Sequence, residues 1–293
     1  MVAPRHRPAQ QGEERELADY RFLLIQALRP PGPPASGPKE AQLMNHADVA
    51  PFLDGIAWDL HPGPVAANDF GTAETRAEFA EVGVRRQPIV REACASGKYN
   101  AIVLLGGGDP GFIEAREIGQ SYGIPVTACA HAQMHVASML ADRFTVLDVA
   151  ELHNMRMRDA VVQYGFADRC ASIRNMHFHL PRPENGDLPA IAGEADKAAR
   201  GEPSAMLEAG VRAVEAAIEE DGAEAIIIGC SAAYWLQPHL QRRLSASGWQ
   251  IPILEGYRCA ILQAKLLVDL GFAASGLAFP QPRPARWRRR KLV

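Results

Sequence analysis

Two stretches decide how this chain folds: Tyr99–Gly108, YNAIVLLGGG, and Ala223–Ala232, AEAIIIGCSA. Each is a short continuous apolar run that stops abruptly on small residues. A strand buried on both faces reads this way, whereas a half-exposed strand would alternate. The runs lie in a long alternation of the same kind. Strands are expected at Arg21–Leu28, Ile56–Leu60, Asn100–Leu105, Pro125–Ala130, Arg143–Val149, Ala171–Met176, Ala223–Ile228 and Ile251–Leu254. Helical spacing of apolar positions fills Thr72–Ser96, Phe112–Tyr122, His131–Ala141, Leu152–Tyr164, Pro203–Glu220, Trp235–Leu244 and Tyr257–Leu270. Strands alternating with helices imply parallel sheets with crossover connections. The fold class expected is therefore α/β, built as two similar parallel-sheet halves with the active site in the cleft between them. Open sheets of this type hold ligands at the carboxyl ends of their strands, so the paired strand ends would form opposite walls of that cleft.

The boundaries follow from composition. Residues 1–19 are polar and charged and are expected to be a disordered extension, and 273–293 a basic disordered tail. The first half is expected to comprise 20–150 with 257–272, and the second 151–256. Leu180–Gly201, rich in proline, glycine and charge, is expected to be loose. At 47% hydrophobic and 22% charged, the chain has ample material for a core. A formal charge of -3 provides no long-range attraction for nucleic acid, although six basic residues between Arg283 and Lys291 surround Trp287. No apolar run is long enough for a membrane span, and the amino terminus lacks a signal core. A cytoplasmic protein with neither nucleic-acid nor membrane partner is expected, and a homo-oligomer is compatible with the sequence.

Five cysteines, Cys94, Cys129, Cys170, Cys230 and Cys259, form no CxxC pair, so each is judged by its setting. Cys230 alone stands where a buried strand hands over to a helix through Trp235, close to backbone N–H groups. A thiol there can act as an acid or base at carbon, because its ordinary pKa of about 8.5 is within reach of working pH. The same N–H groups, with Gly229 and the hydroxyl of Ser231, suit a substrate carboxylate or an enediolate. Gly106, Gly107 and Gly108 let the backbone approach a ligand closely, and Asp109 follows them in the same loop. Tyr234 either lines this cleft or packs in the core beside it. His131, at the strand-to-helix turn after Cys129, either reaches the cleft as an acid or base or merely neighbours a helix cap. The glycine spacing at 106–111 lacks a ribose-binding acid after the next strand, and His177 with His179 lacks a third ligand. No cofactor and no metal are expected.

The loop Leu105-Gly106-Gly107-Gly108-Asp109-Pro110-Gly111 resembles the cysteine-phenylalanine-glycine-aspartate-proline-glycine loop of hydantoin and allantoin racemases. Ile228-Gly229-Cys230-Ser231-Ala232-Ala233 resembles their glycine-cysteine loop. Ile124–Val126, Ala141–Leu147, Tyr164–Phe166 and Ile251–Gly256 match in the same order. The chain thus resembles the aspartate/glutamate racemase superfamily, in which two cysteines face each other across the substrate. Gly106 stands where the first cysteine would be. This single-cysteine pattern resembles that of arylmalonate decarboxylase, in which one cysteine protonates an enediolate after carbon dioxide leaves. The resemblance implies cofactor-independent carbon-acid chemistry on a small carboxylate, amide or cyclic imide. Cys230 is expected to be the proton donor, with decarboxylation foremost. The alternatives are a racemase or isomerase whose second base is another residue, His131 foremost, and a metabolite-binding relative without turnover. Gly106→Cys is expected to supply the missing second proton path.

Overall fold

A computed structural model describes residues 19–280 together with Arg286. Residues 1–18 of the expected extension, and 281–285 and 287–293 of the basic tail, including Arg283, Trp287 and Lys291, lie outside the described residues. Eight strands and ten helices follow in chain order among those described. The first group is β1 (Tyr20–Ile25), α1 (Lys39–Gln42), α2 (His46–Leu53), β2 (Ile56–His61), α3 (Arg76–Ala95), β3 (Ala101–Leu104), α4 (Phe112–Tyr122), β4 (Val126–Ala128) and α5 (Cys129–Leu140). The second is β5 (Phe144–Asp148), α6 (Asn154–Gln163), β6 (Cys170–Asn175), α7 (Glu194–Ala199), α8 (Ala205–Asp221), β7 (Ala225–Ile228), α9 (Leu236–Ala246), β8 (Ile253–Leu254) and α10 (Gly256–Leu270).

The strands form two parallel four-stranded sheets, ordered β2-β1-β3-β4 and β6-β5-β7-β8. The two orders are the same pattern used twice, as the paired motifs foretell. All four residues of β3 and of β7 are buried, which is why these segments read as unbroken apolar runs. A single apolar cluster joins the sheets: Phe22, Leu24, Val103 and Leu105 from the first belong with Leu147, Ile226 and Ile228 from the second. Burial therefore continues across the junction.

The expected division at residue 150 needs correction. β5 pairs with β6 and β7, with Phe144 opposite Ala225, so it belongs to the second sheet. The crossing from one sheet to the other is made by α5, before β5 starts. α10 returns to pack on α5, β3 and β4. Two further differences are local. α1 and α2 occupy 39–53, where Pro51 and interspersed polar residues obscure any period. The stretch expected to be loose carries α7, and Glu194 at its start accepts hydrogen bonds from Ser204 Oγ at 2.8 Å and Met206 N at 3.0 Å.

Candidate active site

In each sheet the connections from the central strands run in opposite directions, between β1 and β3 and between β5 and β7. Such switch points leave a crevice at the carboxyl ends of the strands. Both crevices open onto one cavity of about 150 Å³. Gln26, Ala27 and Leu28 enter it after β1, Gly107 and Gly108 after β3, Asp148 at the end of β5 with His153 beyond it, and Cys230, Ser231 and Ala232 after β7. Apolar walls come from Met44, Phe79, Met157 and Leu180.

The two glycine loops meet directly. A side chain at Gly107 would place its Cβ 2.0 Å from the carbonyl oxygen of Gly229, and one at Gly229 would lie 2.3 Å from Asp148 Oδ2. Glycine at both positions therefore lets the β3, β5 and β7 ends converge, which a Cβ would prevent. Arg86 of α3 secures this convergence from beneath. Fully buried, it donates to the carbonyls of Gln26 at 3.0 Å and Pro110 at 3.2 Å, and also to that of Leu105. Burial lowers its pKa to about 10, so it is charged at neutral pH. From the other side Arg156 of α6 donates to Gly108 O at 2.7 Å and Asp109 O at 3.3 Å.

Cys230 is half-buried at the end of β7 and starts a turn of 3-10 helix over Ser231–Ala233. Ser231 and Ala232 line the cavity, and the first amides of such a turn have no partner within it. Beside Cys230 stands His153, 5% exposed. Its Nδ1 lies 3.0 Å from Asp148 Oδ1, and the same oxygen accepts the Val149 amide at 2.7 Å. Burial alone would lower the pKa of His153. The charge and hydrogen bond of Asp148, with a contribution from the Cys230 sulfur, overcome it and raise the ring to about 11. Tyr257, at the start of α10, completes this wall, and burial raises its phenol above the ordinary range, so it stays protonated.

The cavity closes on its outer side through Arg182, which lies in the segment expected to be loose. Its Nε is 2.9 Å from Thr72 Oγ1 and 2.9 Å from Glu74 Oε2, and its guanidinium reaches Glu78 Oε2 at 2.9 Å. Glu78 also forms the capping box of α3 with Thr75. Burial pushes its carboxyl up, but the Thr75 and Glu74 amides and Arg182 prevail and hold it at about 2. Thr72, Ala73 and Leu180, all in the cavity wall, are thus tied together across the two sheets.

Residues 46–264 match the Asp/Glu/Hydantoin racemase family. The chain belongs to this family. It is 30% identical over 199 residues to the hydantoin racemase of Rhizobium meliloti, a match covering 67% of this chain and 72% of that one. It is also 30% identical over 178 residues to the hydantoin racemase of Pseudomonas sp. strain NS671, covering 61% and 62%. Among solved structures, the allantoin racemase from Klebsiella pneumoniae superposes with a TM-score of 0.66 at 25% identity, covering 92% of this chain and 97% of that one.

Within this racemase-family frame, the sequence-derived site divides. Gly107, Gly108, Gly229, Cys230 and Ser231 are brought together in the cavity. Gly106 is not in its wall; it is buried against Ala27. Asp109 is turned away and nearly fully buried, and its carboxylate accepts the amides of Ala130 at 2.8 Å and His131 at 2.7 Å, capping α5. The Tyr164 hydroxyl donates to it as well, at 3.2 Å. Substrate binding by Asp109 is therefore corrected to a structural role. Tyr234 also sits behind the wall, edge-on to Tyr257 at 5.0 Å, and supports that residue.

His131 is the larger correction. Its side chain packs between Phe112, Tyr164 and His135, outside the cavity, with Nε2 3.0 Å from His135 Nε2. Burial, with the charges of His135 and Arg116, lowers its pKa to about 3. The histidine at the site is His153, which sequence reasoning passed over. The signal for it was the strand end itself: Asp148 closes β5 and His153 follows five residues later.

Proposed function

We propose that this chain is an isomerase that moves a proton at a carbon α to a carbonyl, with Cys230 as the proton carrier and racemisation as the outcome. The observation that carries the reading is the place of Cys230: a thiol at the end of β7, in the cavity onto which both switch points open. A carbon acid is activated by withdrawing electron density into its carbonyl oxygen, and Ser231, the turn amides and the glycine loops give the cavity donors for that oxygen. The relatives named as hydantoin racemases and an allantoin racemase support a small cyclic amide as substrate and stereochemical interconversion as the result.

One observation favours a second reading. Gly106 offers no side chain to the cavity, so proton delivery rests on the Cys230 wall, and one-sided protonation suits a decarboxylase better than a racemase. A single assay separates the two. Single enantiomers of hydantoins and of allantoin, and a series of malonates, are incubated in deuterium oxide and followed for α-deuterium, optical rotation and carbon dioxide. The racemase reading expects deuterium uptake with loss of rotation and no carbon dioxide. Carbon dioxide release with one-handed product supports the second reading instead. In either case Cys230→Ala should lower turnover by about 100-fold to 10,000-fold, the range for removal of a positioned acid–base group. Full activity in a folded Cys230→Ala protein would refute both.

A further inference from the structure

Among the described residues His153 is the one imidazole in the cavity wall, and three features of its setting define what it can do. Its Nδ1 is engaged by Asp148 at 3.0 Å, so the remaining exchangeable proton is on Nε2. Nε2 is buried and makes no close hydrogen bond among the described residues, with the Cys230 sulfur as its interacting neighbour. A buried polar atom left unpaired costs about 1–3 kcal/mol, and at a ligand cavity it marks where a ligand atom completes the bonding. Finally, His153 and Cys230 follow neighbouring strands, β5 and β7, whose register pairs Leu147 with Ile228. The imidazole and the thiol therefore share one wall.

We propose that His153 is a catalytic residue, the proton donor from Nε2 to the substrate carbonyl oxygen while Cys230 removes the proton from the adjacent carbon. The proposal rests on the reading of Cys230 as the proton carrier and assigns the substrate a neutral carbonyl acceptor. As the sulfur, in its thiolate form, takes the α-proton, the C–H electron pair moves into the carbonyl and the oxygen receives the Nε2 proton. The result is a thiol, a neutral imidazole still bonded to Asp148 through Nδ1–H, and a neutral enol. The reverse transfers return a proton to the carbon and recharge the ring, so no other reactant is consumed; return to the same face gives α-proton exchange, and inversion requires the planar enol to present its other face to Cys230 first.

The groups around the ring fit this role. Asp148 is the anion that keeps it charged. Phe79 of α3 packs edge-on at 6.3 Å and shields that pair from water. Arg156 of α6 is committed to the carbonyls of Gly108 and Asp109, and Tyr257 of α10 is a protonated phenol that adds no charge. Burial opposes the protonation of His153, and Asp148, with a smaller contribution from the Cys230 sulfur, outweighs it.

The test uses the full chain with two variants, His153→Gln and Asp148→Asn, and reads α-deuterium exchange into 5-benzylhydantoin together with the NMR titration of the His153 ring. The glutamine amide of the first variant can hydrogen-bond but cannot give up a proton, so exchange should fall about 100-fold to 1,000-fold, mainly in kcat. Wild-type exchange should persist until an alkaline limb near pH 11, the pH at which the ring loses its proton. Asp148→Asn should move both limb and titration down by several units, toward the ordinary value of about 6.5. A merely structural role would not move them together. A His153 ring that is neutral at pH 7 overturns the proposal whatever the substrate, and so does unchanged exchange in His153→Gln. If His153→Gln fails to fold, the Asp148→Asn limb decides. Exchange surviving in Cys230→Ala would instead refute the proposed function, so the two failures are distinguishable.

Discussion

Gly106→Cys is the substitution that the sequence recommends and the structure forbids. It places a thiol where the family pattern has its first cysteine, yet Gly106 has φ +108°, a conformation that side chains rarely adopt. Any Cβ there would also lie 2.5 Å from Ala27 Cβ and 3.3 Å from Ala27 Cα. Holding a non-glycine residue in such a backbone region costs about 1–3 kcal/mol. Overpacking a filled site adds about 1–3 kcal/mol. Together they predict a loss of about 2–6 kcal/mol, or roughly 0.7–2 M in the urea midpoint for a slope near 3 kcal/mol/M. The backbone at 106 is also held indirectly, since the preceding Leu105 carbonyl accepts from Arg86. The loop is therefore not free to turn aside. Urea unfolding followed by circular dichroism measures the loss, and deuterium exchange with chiral analysis measures any new proton path. Ala27→Gly combined with Gly106→Cys removes the contact but not the backbone strain, so it should recover about 1–3 kcal/mol relative to the sum of the single variants. An unchanged midpoint in Gly106→Cys, with faster racemisation, would refute this reasoning.

Two further outcomes are expected. Asp109→Ala should cost about 2–4 kcal/mol in urea unfolding, because it orphans the Ala130 and His131 amides that cap α5; a loss below about 0.5 kcal/mol would return Asp109 to the ligand-binding candidates. Because the folded pKa of His153 is raised to about 11, its stabilising contribution is complete below the unfolded value near 6.5 and is lost as pH rises through 11. Thermal melts between pH 7 and 11 should therefore show the wild type losing more stability than His153→Gln, and parallel curves would contradict the charged pair with Asp148.

The legible parts of this molecule are those that physical chemistry writes locally. Ile226, Ile227 and Ile228 need burial on both faces, so their run announces a central parallel strand, and Gly229-Cys230 announces its end. What escaped was set by distant partners. Asp109 looks like a loop carboxylate aimed at ligand until α5 is folded against it and takes both its oxygens. Arg86 follows Arg85 in a helix and nothing in its neighbours distinguishes it, yet one guanidinium is exposed and the other binds three carbonyls of two strand-end loops. Arg182 lies in a proline-rich stretch that reads as loose, and its order comes from Glu74 and Glu78, more than a hundred residues earlier.

The contrast between His131 and His153 shows why position relative to a switch point outweighs position relative to a turn. Both histidines follow a parallel strand closely. β4, which precedes His131, is an edge strand of its sheet, and the helix it feeds crosses to the other sheet, so the His131 ring packs among Phe112, Tyr164 and His135, away from the cavity. β5, which precedes His153, is a central strand with the chain departing oppositely on its two sides, so its end faces the crevice. The same criterion selects Cys230 from the five cysteines: β7 is the other central strand of that sheet, while Cys129 follows the edge strand β4 and is fully buried with its thiol raised by burial. Strand order, which a single sequence does not print, therefore discriminates between residues whose local settings look alike.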